Sequence, residues 1–495
     1  MLLPRPWYVW RCLLITLTII GLAIAYRRTF QAQLRTGAPP SVAALMILAV
    51  FLAIVSLWAT PTGDEPHYLV MTQSLLRDGD FDLRNNYEGQ DYLEYHPFEI
   101  LDPHVIRVGD HWYPVHGIGL PILAAPWFAL GGRAGVVIML MLMMVAGLRI
   151  LWSLMRRAGF DPLATGLAVL VAGFTLPLLS MSGQIFPEVP TFLLVALALR
   201  VIVASALTGW DLSALLLSVA LLPWLHSKHT ALAIALLLSA ALVHRQEGTL
   251  RALAAPIGLF FVSVGCLVFL SHQWYGVWLP GPSILTPYSR VGEGWLAVIA
   301  ATANLFGQPW VGLIGVLFDQ QSGLFFASPV YVLAIPGIIL LWRRERILAI
   351  TCAIVFMSVY LPNGAFSVWY GGFASPARLL TPVVPALAIG IASMLDAGGS
   401  RAWRLFSILA IPSFLHAYLM MALPRTRYGD PVTQHNFFIA RIERLVHLDL
   451  TLLFPSFHHI GPTTWLTTGG CLLAVIVICI FLVRQNVVHR AGKLS

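Results

Sequence analysis

Two adjacent carboxylates, Asp64 and Glu65, follow closely on an apolar run at residues 41–59 that is long enough to cross a bilayer. Pro66 suits the first turn of a helix, because the N–H that it lacks has no intrahelical partner there. We therefore predict a short helix over residues 67–77, with Asp64 just ahead of an N-terminus whose partial positive charge favours an ionised carboxylate. A paired acid in a loop beside the membrane could act as a catalytic base.

His67 and Tyr68 come three and four positions after Asp64, so that a helix would place the three side chains on one face. We predict that His67 and Tyr68 bind or orient a substrate there. The alternative is that the acids form only a solvated helix cap. Glu65 is predicted beside Asp64 as a catalytic residue, although it fits a cap or an orienting partner of Asp64 better than a second base.

Basic side chains far from this loop are candidates for holding a phosphate. Lys228 is the only lysine ahead of the C-terminal tail, and it stands beside His226 in a turn between two short apolar runs. An ionisable group at that depth is expensive and therefore a functional candidate. Arg378 follows a Gly/Pro-rich loop and could clamp a phosphate with its planar fork. The alternatives are a snorkelling lysine and an arginine that anchors the chain at the interface.

Two further acids, Glu188 and Asp319, fall in predicted outer turns and could orient an acceptor; the alternative for both is an exposed turn acid. With Asp64 they could offer the oxygen ligands that Mg²⁺ or Mn²⁺ prefers, although no spacing in the sequence requires a metal. The histidines of the first outer loop are too scattered along the sequence for a zinc motif, namely His96, His104, His111 and His116.

The composition identifies the chain as a membrane protein. Of its 495 residues, 58% are hydrophobic and only 11% charged, and the mean hydropathy is +0.80. Charge is confined to short clusters between long Leu/Ala/Val-rich runs, which is typical of a polytopic helical protein and not of a barrel. The net charge of +8 would suggest nucleic acid in a soluble protein. Here it fits basic loops on the cytoplasmic side, so that no nucleic-acid partner is expected.

Placing the basic clusters on one side predicts an all-α protein with about twelve or thirteen transmembrane helices in a single membrane domain. Whether residues 9–26 span the bilayer stays open. Most acids then fall on the opposite, extracytoplasmic side. Three large outer loops are predicted there, at residues 60–116, 272–322 and 424–464, and the first carries the carboxylate pair.

An outward-facing first loop that opens with Gly63-Asp64-Glu65-Pro66-His67-Tyr68, just after an early spanning helix, resembles the GT-C superfamily of membrane glycosyltransferases. That superfamily includes the protein O-mannosyltransferases and the lipid A aminoarabinose transferases. Four later stretches are similar to its uncharacterised bacterial branch: residues 116–121, 184–188, 317–320 and 369–378. The resemblance covers most of the chain in topology, but only the acidic motif of the first loop is specific for chemistry.

The resemblance implies transfer of a sugar from a polyprenyl-phosphate carrier to an acceptor outside the cytoplasm, at the inner (plasma) membrane, with Asp64 as the base. The expected partners are that donor, membrane lipid and an acceptor of unknown kind. Physical chemistry agrees, because a lipid-linked sugar presents its reactive carbon at headgroup height, where a carboxylate just beyond a helix end also sits. A phosphate leaves as a stable anion, which requires nearby cations but no general acid. Competing hypotheses are a flippase or transporter of lipid-linked saccharides, against which acids buried in mid-helix are scarce, and a non-catalytic scaffold.

Overall fold

A computed structural model describes residues 56–491 with gaps at 58, 98–99, 204–207, 247, 280–307, 424–436, 449–451 and 459. The apolar runs predicted at residues 9–26 and, for the most part, 41–59 lie outside the described residues. So do the central parts of the second and third predicted outer loops.

Helices make up nearly all of the regular structure in the described residues. In the first outer loop and the following bundle they are α1 (Glu65–Arg77), α2 (Arg84–Glu88), α3 (Gly119–Arg157), α4 (Pro162–Phe174), α5 (Leu178–Met181), α6 (Glu188–Ile202), α7 (Gly209–Leu225), α8 (His229–Gln246) and α9 (Ala254–Tyr275). In the second half they are α10 (Pro309–Phe318), α11 (Leu324–Ala327), α12 (Ala334–Trp342), α13 (Arg346–Ala365), α14 (Val384–Ala397), α15 (Ser400–Ala422), α16 (Phe437–Val446) and α17 (Pro462–Ala491). Short 3₁₀ turns stand at Asp91–Glu94, Leu250–Leu253, Pro329–Leu333 and Arg378–Val383.

Six helical stretches in the described part of the chain are long and apolar enough to cross a membrane: Gly119–Arg157, Leu250–Tyr275, Arg346–Ala365, Arg378–Ala397, Ser400–Ala422 and Pro462–Arg484. Shorter apolar helices accompany them at Pro162–Phe174, Gly209–Leu225, Pro309–Phe318 and Pro329–Trp342. The prediction of an all-α, multi-pass membrane protein is therefore confirmed. The helix Pro309–Phe318 falls inside the stretch predicted as the second outer loop, so that this stretch is not loop throughout.

The helix ending at Ala397 lies at the centre of the bundle, with 89% of its spanning window buried, whereas only 11% is buried for the last spanning helix. Its close packing depends on small residues. A Cβ on Gly337 of α12 would collide with the backbone carbonyl of Gly390 of α14, so that both positions need glycine for the helices to approach. Arg378 stands at the N-terminal end of this central helical stretch.

A β-hairpin within residues 60–116, the stretch predicted as the first outer loop, departs from the all-α prediction. Strand β1 (Val105–Val108) pairs antiparallel with β2 (His111–Pro114), in a register that sets Val105 opposite Pro114. The two-residue Gly109-Asp110 turn between β-branched and aromatic residues is a hairpin signal. The hairpin docks on the end of α9, where Tyr113 stacks on Trp274 at 5.3 Å between ring centroids.

Candidate active site

Asp64 occupies the position just before α1, as predicted, but its side chain makes no capping hydrogen bond to the described residues. It turns instead toward the end of the central helix, where both terminal nitrogens of Arg378 donate to its Oδ2 at 3.3 Å. About a quarter of the Asp64 side chain remains exposed to solvent. The solvated-cap interpretation therefore does not describe Asp64.

Glu65 fixes the loop that carries Asp64. It is buried, and its Oε2 accepts a hydrogen bond from the backbone N–H of Ile185 at 3.0 Å. This contact ties the start of α1 to the segment ahead of Glu188. Glu65, which was predicted beside Asp64 as a catalytic residue, is not among the described residues that line the cavity described below. Its contacts are those of an orienting residue.

The β-hairpin brings together two histidines that the sequence keeps twelve residues apart. His104 precedes β1 and His116 follows β2, and their rings meet with His104 Nδ1 3.1 Å from His116 Nε2. Both approach the second oxygen of Asp64, at 3.7 Å from His104 and 3.9 Å from His116. His67 stacks on His104 at 3.7 Å between ring centroids and contacts the Tyr87 hydroxyl through Nδ1 at 2.6 Å.

The charges around Asp64 keep it ionised. Burial alone would raise the pKa of Asp64, but the attraction of the His116 ring, when that ring is protonated, and of the Arg378 guanidinium outweighs burial and holds the pKa well below its usual range. Burial lowers the pKa of His116 itself to about 4, so that this ring is neutral at physiological pH. Arg378 is therefore the lasting positive partner of Asp64.

Asp64, His104 and His116 also form a possible metal site, since one ligand atom from each lies within 4.8 Å of the others. A carboxylate oxygen and two imidazole nitrogens suit Mn²⁺ or Zn²⁺ better than Mg²⁺, which prefers oxygen ligands. The residues fit such an ion, because neutral imidazoles and an ionised carboxylate are the forms that bind metal. The spacing of the histidines in the sequence gave no sign that this pair meets; only a hairpin prediction over residues 105–114 could have revealed it.

Arg378 connects Asp64 with a second carboxylate. Its Nε lies 3.1 Å from Glu188 Oε1, and its guanidinium carbon stands 4.2 Å above the ring of Phe186. Glu188 is buried rather than exposed, and its Oε2 has no hydrogen-bond partner among the described residues. The guanidinium thus contacts two carboxylates and one aromatic ring, which favours a role in organising the carboxylates over a free phosphate clamp.

Lys228 enters the same cavity from the turn between α7 and α8. Its Nζ donates to Asn363 Oδ1 at 3.0 Å and lies 4.8 Å from the ring centroid of Phe366. His226 Nδ1 accepts the backbone N–H of Lys228 at 3.2 Å and so fixes the turn. An ammonium group has three protons, and one protein acceptor leaves two of them for a ligand.

These side chains line a single polar cavity: Asp64, Tyr68, His116, Pro187, Glu188, His226, Lys228, His229, Asn363, Arg378, Leu379 and Pro382. Asp64, Tyr68, Glu188, His226, Lys228 and Arg378 come from the predicted set. His116, His229 and Asn363 were not predicted as site residues. Asn363 carries no sequence signal, because an amide at a helix end is ordinary.

Asp319 lies elsewhere. It is fully buried, and its carboxylate accepts the backbone N–H groups of Gln321, Ser322 and Phe457 at 2.8 to 2.9 Å. It is neither an exposed turn acid nor one of the described residues that line the cavity. It therefore cannot join Asp64 in an oxygen-ligand metal site.

Comparison with solved structures gives matches at probability 1.00 to ArnT and to an oligosaccharyltransferase. ArnT from Cupriavidus metallidurans bound to undecaprenyl phosphate matches with a TM-score of 0.50 and 14% identity, over 91% of this chain and 78% of ArnT. The same protein in its apo state matches with a TM-score of 0.48 and 16% identity, over 88% of this chain and 76% of ArnT.

The chain shares its overall fold with ArnT. The resemblance inferred from the first loop is thus confirmed at the level of the fold, and identity this low carries no further. An apo oligosaccharyltransferase from Archaeoglobus fulgidus gives a TM-score of 0.41 at 11% identity, over 79% of this chain and 56% of its own. No family model matches the chain, and no curated protein matches it by sequence. The fold leaves the chemistry open, and the residues of the cavity decide it.

Proposed function

We propose that this protein transfers a sugar from a polyprenyl-phosphate donor to a hydroxyl acceptor outside the cytoplasm, at the inner (plasma) membrane. The observation that carries the proposal is the meeting of an ionised acid, Asp64, with a lysine that still has protons to offer, Lys228, in one cavity of a GT-C fold. The ArnT of similar fold was crystallised with undecaprenyl phosphate, which makes a lipid phosphate the first donor class to test.

The reaction assigned to this cavity is a single displacement with inversion. The acceptor oxygen attacks the anomeric carbon, the bond from that carbon to the phosphate oxygen breaks, and its electron pair stays on the phosphate. The acceptor proton passes to a carboxylate oxygen of Asp64. Asp64 is a weak base. A weak base is sufficient here, because the acceptor hydroxyl becomes strongly acidic as the bond from its oxygen to the anomeric carbon forms.

Lys228 is assigned to the departing phosphate. Its ammonium group, anchored by Asn363, can donate to the oxygens on which negative charge accumulates, and such preorganised donors are a major source of catalysis. No group needs to protonate the leaving phosphate. Tyr68 and His226 line the space around these groups and are assigned to orienting the substrates.

A divalent cation is proposed at Asp64, His104 and His116. When bound, such an ion would supply a positive charge that holds Asp64 and polarises an oxygen near it. His104 and His116 approach the Asp64 carboxylate on one side, and Arg378 contacts it on the other.

The test is transfer of labelled sugar from polyprenyl-phosphate donors in proteoliposomes that contain the purified protein. Asp64→Asn should abolish transfer and leave folding intact. If wild-type protein instead moves lipid-linked sugar between leaflets without cleaving it, the flippase hypothesis replaces this one.

A further inference from the structure

We propose that Asp319 is a positioning residue: through Ser322 and Ala377 it holds Arg378 in the orientation that aims the guanidinium at Asp64 and Glu188. The inference rests on the proposed function for its kinetic consequence, but its structural part stands independently. It gives a role to a buried carboxylate that lies outside the cavity.

The first step is the turn that Asp319 builds. Asp319 directly follows α10, and its Oδ1 accepts the backbone N–H groups of both Gln321 and Ser322 at 2.8 Å. Its Oδ2 accepts the N–H of Phe457 at 2.9 Å, which pins the segment ahead of α17 to the same carboxylate. A fully buried acid with three such donors fixes the turn tightly.

A backbone hydrogen bond connects this turn to Ala377, the residue before Arg378. The carbonyl of Ser322 accepts the backbone N–H of Ala377 at 3.0 Å, across a long stretch of sequence. Ala377 has φ +57° and ψ +17°, a left-handed conformation that a residue with a Cβ adopts at an energetic cost. Such a conformation persists where the surrounding contacts hold the backbone in place, and residues in such conformations cluster at functional sites.

The loop ahead of Arg378 is held by two more contacts. Ser375 Oγ donates to Gln184 Oε1 at 2.8 Å. Gly63, with φ +61°, packs so closely on the carbonyl of Phe373 that a Cβ there would lie 2.6 Å from that oxygen. The loop ahead of Arg378 is therefore clamped between the residue preceding Asp64 and the turn organised by Asp319.

Asp319→Asn tests the relay, because the amide group that replaces one oxygen faces backbone N–H groups and cannot accept from them. The matched control is Asp211→Asn, which also alters a buried carboxylate, one paired with Thr208 and Arg200. Hydrogen exchange of the peptide covering residues 369–380 should rise several-fold in Asp319→Asn and stay at the wild-type level in Asp211→Asn. Equal exchange in both variants would overturn the proposal.

The kinetic readout separates positioning from mere stability. Asp319→Asn should lower kcat per folded molecule about tenfold or more, with the affinity for undecaprenyl phosphate at Lys228 retained. Adding Ala377→Gly to Asp319→Asn should raise kcat about fivefold over Asp319→Asn alone. Glycine adopts the left-handed conformation without needing the hydrogen bond to Ser322. A loss of kcat that disappears after correction for the folded fraction, or no recovery with Ala377→Gly, would contradict the relay. If the wild-type protein transfers no sugar, the proposed function fails, and the exchange experiment still decides the role of Asp319.

Discussion

Arg378 donates two hydrogen bonds to one oxygen of Asp64 from 314 residues further along the chain. The remaining nitrogen of the same guanidinium lies 3.1 Å from Glu188. One cation thus sets the direction of two acids, and it does so from the first turn of the most deeply buried spanning helix. The loop carboxylate that is proposed as the base is in this way held by the membrane bundle.

Removing the proposed base should stop the reaction without unfolding the protein. Asp64→Asn keeps the shape of the side chain but cannot take up a proton, so we expect transfer to fall about 10²- to 10⁴-fold. Binding of undecaprenyl phosphate, measured by isothermal titration, should change little. Asp110→Asn alters an acid of the same outer loop whose side chain is 96% exposed and should retain wild-type turnover. Equal turnover in the two variants would exclude Asp64 as the base.

Replacing Arg378 should damage both geometry and stability. Lysine keeps the charge of Arg378 but cannot contact Asp64 and Glu188 together with a planar fork. We expect Arg378→Lys to lower kcat by about 10²-fold, as misplacement of a catalytic group does. Arg378→Gln, which removes the ion-pair partner of the buried Glu188, should also lower the free energy of unfolding by about 3 kcal/mol. Wild-type kcat in Arg378→Lys would show that the fork has no positioning role.

Lys228 should dominate the affinity for the carrier phosphate. Lys228→Ala removes a charged hydrogen bond, so its dissociation constant for undecaprenyl phosphate should be about 10- to 100-fold larger than that of the wild type. Asn363→Asp is an informative companion, since it keeps the acceptor for Nζ but adds a negative charge that competes with phosphate. An unchanged dissociation constant in Lys228→Ala would remove this residue from the donor site.

The same lysine should give donor binding a limit at high pH. Burial lowers the pKa of Lys228 to about 8, an effect that Arg378 reinforces and that the nearby carboxylates oppose. The titratable and charged groups that share the cavity with Lys228 are Asp64, Tyr68, His116, Glu188, His226, His229 and Arg378. Because the ammonium form binds phosphate and is lost as pH rises through the pKa, affinity should fall about tenfold per pH unit above about 8. Lys228→Arg should keep its affinity across that range, and a decline identical to wild type would place the titrating group elsewhere.

The histidine pair can be tested for metal without any assay of transfer. If Asp64, His104 and His116 bind a divalent cation, purified protein should retain Mn²⁺ or Zn²⁺ in stoichiometric amount by elemental analysis. His104→Ala and His116→Ala should each lower that content strongly. His111→Ala removes a neighbouring histidine that contacts Asp82 at 2.6 Å and should not. Metal content that is unaffected by all three variants would leave the cluster as a hydrogen-bond network.

The clamp between the first loop and the Arg378 loop predicts a difference between two glycines. Gly63 and Gly109 have nearly equal positive φ, but only a Cβ at Gly63 would collide with a neighbour, the carbonyl of Phe373, whereas none of the described atoms lies within 4 Å of a Cβ at Gly109. Alanine at either position should therefore cost about 1–2 kcal/mol in backbone strain. Gly63→Ala should cost about 1–3 kcal/mol more from the collision and lower turnover as well. Equal unfolding midpoints for the two variants would argue against the close contact.

Much of the architecture follows from the sequence, because in lipid every backbone polar group must be satisfied internally and long apolar runs can do so only as helices. The sequence also identified the main ionisable candidates, because such residues are conspicuous in so apolar a chain: the acid ahead of α1, the lysine in the turn before α8 and the arginine that opens the central helix. The sequence did not show which of these residues contact one another. The capping interpretation of Asp64 and the exposed-acid interpretation of Glu188 were reasonable until both side chains were found on one guanidinium.

The sequence by itself determined that this is a polytopic helical protein with a few costly charges, and its first-loop motif pointed to the GT-C fold. Only the tertiary structure decided which charges meet. His104 and His116 come together through a hairpin register, Lys228 meets Asn363 across 135 residues, and Asp319 is drawn away from the cavity into a buried turn. The physical reason is that helix formation and membrane insertion depend on neighbours along the chain, whereas the pairing of charges depends on which helix ends and loops pack side by side.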